Sequence, residues 1–325
     1  RLLENGANSS FINRLVDPET DSSWLASGPH LKIENEKKDI PLPQNIFINR
    51  NNSKGIDISE MENLELINNR IKEHKNKSIH AKSIYSNRLS EGTSKHVILS
   101  IADNSEIGSV TFDDITNLQD CLNSDSRSDW KNISVKERAR ILKDISNEIE
   151  SDPYEIIYYL MHEAGKTIQN SIDEIREAVD FLRYYSNQMV NIEENEGELE
   201  GPTGELNTLS YSAKGHFLCI SPWNFPVAIL IGQISAALVT GNKVTVKPSE
   251  HTSILGYMVV KKFHDNGVPL SALELVLGDG KYGDALSKIN NLSGVAFTGS
   301  LPTAKKIQNN LNQNQKEILS CGRRP

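Results

Sequence analysis

The 325 residues are 37% hydrophobic and 24% charged, with a formal net charge of −8, so the chain has room for one large domain or two modest ones. Lysine and arginine form no basic stripe, which excludes nucleic acid as a partner class. Three cysteines, Cys121, Cys219 and Cys321, show neither metal-ligand spacing nor a disulfide framework; they read as reduced thiols of a cytoplasmic protein with no metal site.

The chain opens at Arg1 without a methionine, signal peptide or transit segment, and so reads as a piece of something longer. Residues 1–17 begin R-L-L-E-N-G-A-N-S-S-F-I-N-R, a helix end followed by a polar turn. Residues 18–96 are rich in Asn, Ser, Lys and Glu and lack sustained apolar periodicity. They predict a connecting segment, with a turn at Pro41-Leu-Pro-Gln and a polar surface helix within Glu60 to Lys77.

From Val97 the texture changes. Val97–Ile101 and Gly108–Phe112 predict a hairpin around Asp103-Asn104. Helical spacing follows over 113–123, over 135–150 through Ile141, Ile145 and Ile149, over 153–164, and over 172–189 through Ile175, Val179 and Leu182. Glu163 and Lys166, at a helix end closed by Gly165, are read as structural rather than as an acid–base pair. Leu206–Ser212 predicts a short strand leading into the centre of the chain.

That centre is Phe217 to Glu250. Phe217–Ser221 is a buried-strand pattern stopped by Pro222, and Pro226 suits the first turn of a helix. Val227–Thr240 is apolar almost all round, which predicts a helix buried between layers. Gly232, Gln233 and Ser235 interrupt it, and it falls short of the roughly 20 apolar residues of a membrane span. Gly241-Asn242 stops the helix, and Val244–Lys247 is a second strand ended by Pro248. Strand, helix and strand make one βαβ unit, whose ligands belong at the carboxyl ends of the strands. Asn224 stands after the first strand, and Lys247, Ser249 and Glu250 after the second.

Thr252 is the expected N-cap of a helix over 253–266, followed by a third strand over 273–277. Gly278–Gly283 is formally G-x-G-x-x-G, but no acidic residue ends the next strand, so the dinucleotide fingerprint is discounted. A fourth strand and turn, Gly294–Ser300, leads to a helix that Pro302 can open; Gly299 and Ser300 are either a plain turn or an anion site at a helix start.

The wording of these segments is specific. Ile220-Ser-Pro-Trp-Asn-Phe-Pro226, Lys247-Pro-Ser-Glu250, the Gly278–Gly283 loop and Phe297-Thr-Gly-Ser300, in this order, resemble the cofactor-domain motifs of the aldehyde dehydrogenase superfamily. The resemblance implies an α/β fold with a Rossmann-like parallel sheet over 97–317, the NAD-binding half of an aldehyde dehydrogenase. It places Lys247 and Glu250 on the adenosine ribose, Gly280 beside the cofactor, and Gly299 and Ser300 on the pyrophosphate. Ile220, Ser221, Pro222, Trp223, Ser249, Phe297 and Thr298 complete the implied cofactor set, and Asn224 is the implied donor to the substrate oxyanion. The glycine loop is one residue shorter than usual, and Leu301-Pro302 replaces the family's Thr-Glu.

Residues 1–14 and Glu177-Ala-Val-Asp-Phe-Leu-Arg-Tyr-Tyr185 are similar to the proline utilization A branch. That likeness makes Arg1 a substrate-binding remnant of a proline dehydrogenase barrel, whose FAD would sit in a part not present here. It implies oxidation of L-glutamate γ-semialdehyde to glutamate, a small-molecule substrate, and a homo-oligomer at full length. In the family the nucleophilic cysteine and the water-activating glutamate lie downstream of this chain. Residues 318–325, I-L-S-C-G-R-R-P, read as an aberrant tail; Cys321 and the core-strand Cys219 are given no catalytic role. The expectation is an activity of the whole-length protein, absent from this chain alone. The alternatives are an enzyme for another aldehyde and a non-catalytic NAD-binding fragment.

Overall fold

The computed structural model describes residues 17–18, 21, 23, 41–75, 77–85, 88–124, 128–313 and 318–322. Arg1 and nearly all of the barrel-end stretch lie outside these residues. From residue 43 onward the chain forms one compact unit, residues 43–325.

The connecting segment is more structured than its composition suggests. Helix α1 (Met61–Lys72) lies on the surface with Ile67 as its buried anchor. Three short strands come next, β1 (Ile79–Lys82), β2 (Ile84–Tyr85) and β3 (Arg88–Leu89). β4 (Ser94–Leu99) and β5 (Glu106–Phe112) form the expected hairpin, and β1 pairs in parallel with β5 to complete a three-stranded sheet. A boundary at 96/97 therefore cuts through folded structure: β1 belongs to this sheet, and β2 and β3 to the main one.

Helices α2 (Ile115–Ser124), α3 (Val135–Ser151), α4 (Tyr154–His162) and α5 (Ile168–Glu194) lead towards the centre. A small antiparallel ribbon, β6 (Gly197–Leu199) with β7 (Asn207–Leu209), precedes the central unit. That unit is β8 (His216–Ile220), α6 (Ala228–Val239) and β9 (Lys243–Lys247). α7 (Ser253–Asp265), β10 (Leu273–Leu275), α8 (Gly280–Leu286), β11 (Leu292–Thr298), α9 (Leu301–Gln313) and β12 (Ile318–Gly322) complete the order. β12 continues the sheet in parallel beside β11, so the stretch expected to be an aberrant tail carries an element of the fold.

The main sheet runs β12-β11-β8-β9-β10-β2-β3, parallel from β12 to β10 and antiparallel beyond. Every residue of β9 is buried, as befits a parallel strand covered on both faces. Successive strands step from β8 to β9 to β10, after which the chain returns to place β11 on the other side of β8. The direction of winding reverses there, and open α/β sheets bind ligands at such a reversal, outside the strands' carboxyl ends.

α6 is apolar apart from Gln233 and Ser235 and offers no side chain to cap its own ends, so other segments do. At its start the amides of Val227 and Ala228 donate to Glu174 Oε1 on α5, at 2.7 and 3.1 Å. At its end the carbonyls of Leu238 and Val239 accept from Trp130 Nε1 and Arg138 Nε. α5 crosses it so closely that a Cβ at Gly232 would lie 3.1 Å from the Phe181 ring. Gly241 takes the left-handed conformation, φ +84°, that turns the chain into β9.

Candidate functional site

Three strand ends form the floor. In the sheet register Ile220 stands opposite Lys247 on one side and Phe297 on the other, so the ends of β8, β9 and β11 lie level at the winding reversal. A cleft of about 310 Å³ opens there, walled by α8 and α9. Ile220, Ser221, Pro222, Trp223, Lys247, Ser249, Glu250, Gly280, Phe297, Thr298, Gly299 and Ser300 all line it. Every residue assigned to the cofactor from the sequence is thus in one cavity. Gly283, Asp284, Thr303, Lys306, Ile307 and Asn310 complete the lining.

Lys247 carries the electrostatics of the floor. Its ammonium is buried, donates to the Pro248 carbonyl at 3.2 Å and faces Glu250 Oε2 at 3.6 Å. Burial pulls its pKa below the usual lysine value, against the attraction of Glu250. Glu250 is partly exposed and begins a short 3₁₀ turn, with Ser249 Oγ accepting from the His251 amide just before it.

Among the described residues, two buried polar atoms near the floor lack a hydrogen-bonding partner, Ser221 Oγ and Gln233 Oε1. The amide nitrogen of Gln233 reaches from α6 to the Ile220 carbonyl and Thr298 Oγ1, both at 3.3 Å, tying β8 to β11 where they end. Buried polar groups are almost always satisfied, so an unfilled acceptor beside a cleft marks where a ligand donor fits. The opposite wall adds an anion-friendly edge. Ser300 Oγ accepts from the Thr303 amide and opens α9, whose start presents Gly299 and Ser300 to the cleft.

Asn224 follows Trp223, which is 58% exposed at the mouth. It is half-buried and does not itself line the cleft, and among the described residues no hydrogen bond holds its amide. The turn that carries it is held from outside. Glu174 receives the amides at its end, Lys166 pairs with Glu174 Oε2 at 2.6 Å, and the same ammonium lies 4.1 Å from the Phe225 ring centre.

Glu163 and Lys166 are structural, as expected, and do not pair with each other. Glu163 is buried at the start of α7, where its oxygens accept from the Ile254 and Leu255 amides at 2.8 and 2.9 Å. Thr252, the expected cap, makes no side-chain capping bond; the buried Glu163 carboxyl group takes its place. Burial pushes the Glu163 carboxyl up to about 8. Cys219, fully buried in β8, has its thiol pushed up to about 12 by the same cause, which leaves it inert. Cys321 lies in β12, level with Phe297 in the backbone register, and its side chain is outside the described residues.

Comparison with known proteins decides the family, because residues 91–322 match the aldehyde dehydrogenase family. The chain belongs to that family. It is 33% identical over 328 residues to the bifunctional protein PutA of Klebsiella aerogenes, covering 96% of this chain and 24% of that protein. It is 37% identical over 172 residues to 1-pyrroline-5-carboxylate dehydrogenase 1 of Halalkalibacterium halodurans, covering 53% of this chain and 33% of the relative. The crystal structure of a 1-pyrroline-5-carboxylate dehydrogenase from Thermus with bound NAD superposes with a TM-score of 0.76 at 23% identity, over 83% of this chain and 54% of that one. The aldehyde dehydrogenase fold is thereby established, and the likeness to PutA extends through the connecting segment as well as the α/β body. The chain spans about a quarter of the length of the PutA relative.

Within the aldehyde dehydrogenase fold, sequence reasoning missed Glu174 and Gln233 as supports of the cleft, and the α8–α9 wall. Glu174 is one acid among several on α5, and its target lies 53 residues away. In the sequence Gln233 is only a polar interruption of an apolar helix. That interruption was the available signal, since a polar group placed in a buried helix needs a partner.

Proposed function

We propose that the cleft binds NAD, and that a whole-length protein containing this chain oxidises L-glutamate γ-semialdehyde to L-glutamate. The carrying observation is that four separate sequence motifs meet in one cavity at the winding reversal of the sheet. Lys247 and Glu250 hold the adenosine ribose, with Glu250 accepting from its hydroxyls. Gly299 and Ser300 receive the pyrophosphate at the start of α9, and Ser221 supplies an unsatisfied hydroxyl to the floor. Asn224 steadies the oxyanion that develops on the substrate, as a neutral donor on a turn braced by Glu174. The dinucleotide, when bound, supplies the hydride acceptor.

The substrate assignment draws on the PutA and 1-pyrroline-5-carboxylate dehydrogenase relatives, and the reading includes a cytoplasmic homo-oligomer at full length. Any FAD belongs to a proline dehydrogenase barrel, outside the described residues. Among the described residues no helix is long and apolar enough to cross a membrane. A second reading is a dinucleotide-binding chain without catalysis; in its favour, burial removes Cys219, the cysteine of the first cofactor strand, as a nucleophile.

The test is a pair of measurements. NAD and NADP are titrated into the chain, with and without Glu250→Gln. A whole-length protein is then assayed for NADH formation from glutamate semialdehyde. Glu250 should repel a 2′-phosphate, so Glu250→Gln narrows the preference for NAD over NADP. An unchanged ratio removes the ribose assignment, and NADH formation from unrelated aldehydes alone removes the substrate.

A further inference from the structure

One wall of the cleft is held together by a polar tie that the cofactor motifs do not include. Gly280, Gly283 and Asp284 of α8 face Thr303, Ile307 and Asn310 of α9. This wall adjoins the ribose side of the site, since a Cβ at Gly283 would sit 3.6 Å from Lys247 Cδ. Below the rim the helices share apolar packing, with Leu286 and Ile289 in one cluster with Ala304, Ile307 and Leu311. At the rim one carboxylate joins them. Asp284 Oδ1 accepts from Asn310 Nδ2 at 3.1 Å and pairs with Lys306 Nζ at 3.0 Å, while Oδ2 pairs with Lys288 Nζ at 2.8 Å. Asn310 is buried and also donates at 2.7 Å to Ser287 Oγ, at the end of α8, so its side chain is held in place by two contacts to that helix.

We propose that Asp284 is a positioning residue: by tying α9 to α8 at the rim it sets the gap that receives the flat base attached to the ribose. This rests on the dinucleotide reading of the cleft. The two lysines are largely exposed and contribute little singly; the specific part is the buried Asn310 contact, which a solvent-screened ion pair does not replace. The Lys288 hydrogen bond, with Asn310 and Lys306 behind it, holds the Asp284 carboxyl well below the usual carboxylate range, so the tie is charged throughout neutral pH. Without it the helices are joined, among the described residues, only by the Asn310–Ser287 bond at the end of α8 and by apolar packing, and the wall at the rim loses its fixed distance from the base.

The test compares the two halves of the cofactor. AMP, nicotinamide mononucleotide and NAD are titrated into the wild-type chain, Asp284→Ala and Asp284→Asn, with thermal melting recorded for each. Asp284→Ala should weaken AMP and NAD by roughly three- to tenfold, the size of one hydrogen-bonded tie, and leave nicotinamide mononucleotide unchanged. Asp284→Asn keeps an acceptor for Asn310 and should recover most of the AMP affinity. Unchanged AMP binding in Asp284→Ala, or AMP and nicotinamide mononucleotide weakening together, overturns the proposal. A wild-type chain that binds none of the three overturns the cleft reading itself, whereas normal wild-type binding with an indifferent Asp284→Ala overturns the tie alone.

Discussion

Lys243 and Lys247 sit on the same face of β9, one at each end, and both are buried. Lys243 meets Glu274 at 3.1 Å, and Glu274 is wholly inaccessible. Thr245, between the lysines, donates to Glu274 Oε2 at 2.7 Å and contacts His216 Nε2 at 2.7 Å; His216 Nδ1 lies 3.2 Å from Asn291 Oδ1. This amino end of the sheet is a closed polar network. Lys247, at the carboxyl end, meets a carbonyl at 3.2 Å and a partly exposed carboxylate at 3.6 Å, with the charge of Asp279 farther off, beside a serine hydroxyl that has no hydrogen-bonding partner among the described residues. Burying polar groups costs free energy unless they are paired. One end of the sheet meets that requirement internally and the other, among the described residues, only in part, which is the contrast expected between a structural cluster and the proposed cofactor cleft.

Breaking the closed end should have the largest effect. Lys243→Met strands Glu274 as an uncompensated buried charge and should cost about 3–5 kcal/mol of stability in urea unfolding, with NAD affinity of the folded molecules unchanged. Lys247→Met should do the reverse, weakening NAD while shifting stability by no more than about 1 kcal/mol. Equal losses of stability in both variants would erase the contrast between the two ends.

Asn224→Ala tests the open end in a whole-length protein. Loss of an oxyanion donor should lower turnover by about 10²–10³, or roughly 2.7–4 kcal/mol, while NAD affinity changes little. If Asn224 only ties its turn, stability and NAD affinity fall together instead, and normal turnover would end the oxyanion role.

A further effect, spread over several pH units, concerns Glu163. The folded-state pKa of Glu163, about 8, lies above its ordinary value of 4.5, so the folded protein holds a proton that the unfolded chain releases. This group's stabilisation is complete below pH 4.5 and is lost as pH rises to about 8, with a slope of up to about 1.4 kcal/mol per unit. Glu163→Gln should flatten that part of the stability profile. A slope identical to wild type would mean the carboxyl is already ionised as it caps α7.

The β8–α6–β9 unit was legible because each boundary carries a local cause: Pro222, Pro226, Gly241 and Pro248 punctuate runs whose composition permits one kind of element. The floor of the cleft was legible because its residues follow strand ends directly, whereas the α8–α9 wall was not. β1 to β3 were not, since strands of two to four residues show no period and exist only through pairing with β5 and β10. β12 was missed for the same reason, its partner β11 being what makes Ile318–Gly322 extended. The Glu163 and Glu174 caps were hidden because side chains on one helix serve the start of another, and local sequence says nothing of that meeting.

Hydrogen exchange of the chain with and without saturating NAD tests the central claim most directly, because it reports binding and its location together. Protection should rise at 220–224, 247–250 and 298–304, the strand ends and the start of α9, with 216, 243 and 273 at the opposite ends unchanged. Protection confined to the amino ends of the strands, or none at the cleft under NAD concentrations that saturate a relative of known activity, would contradict it.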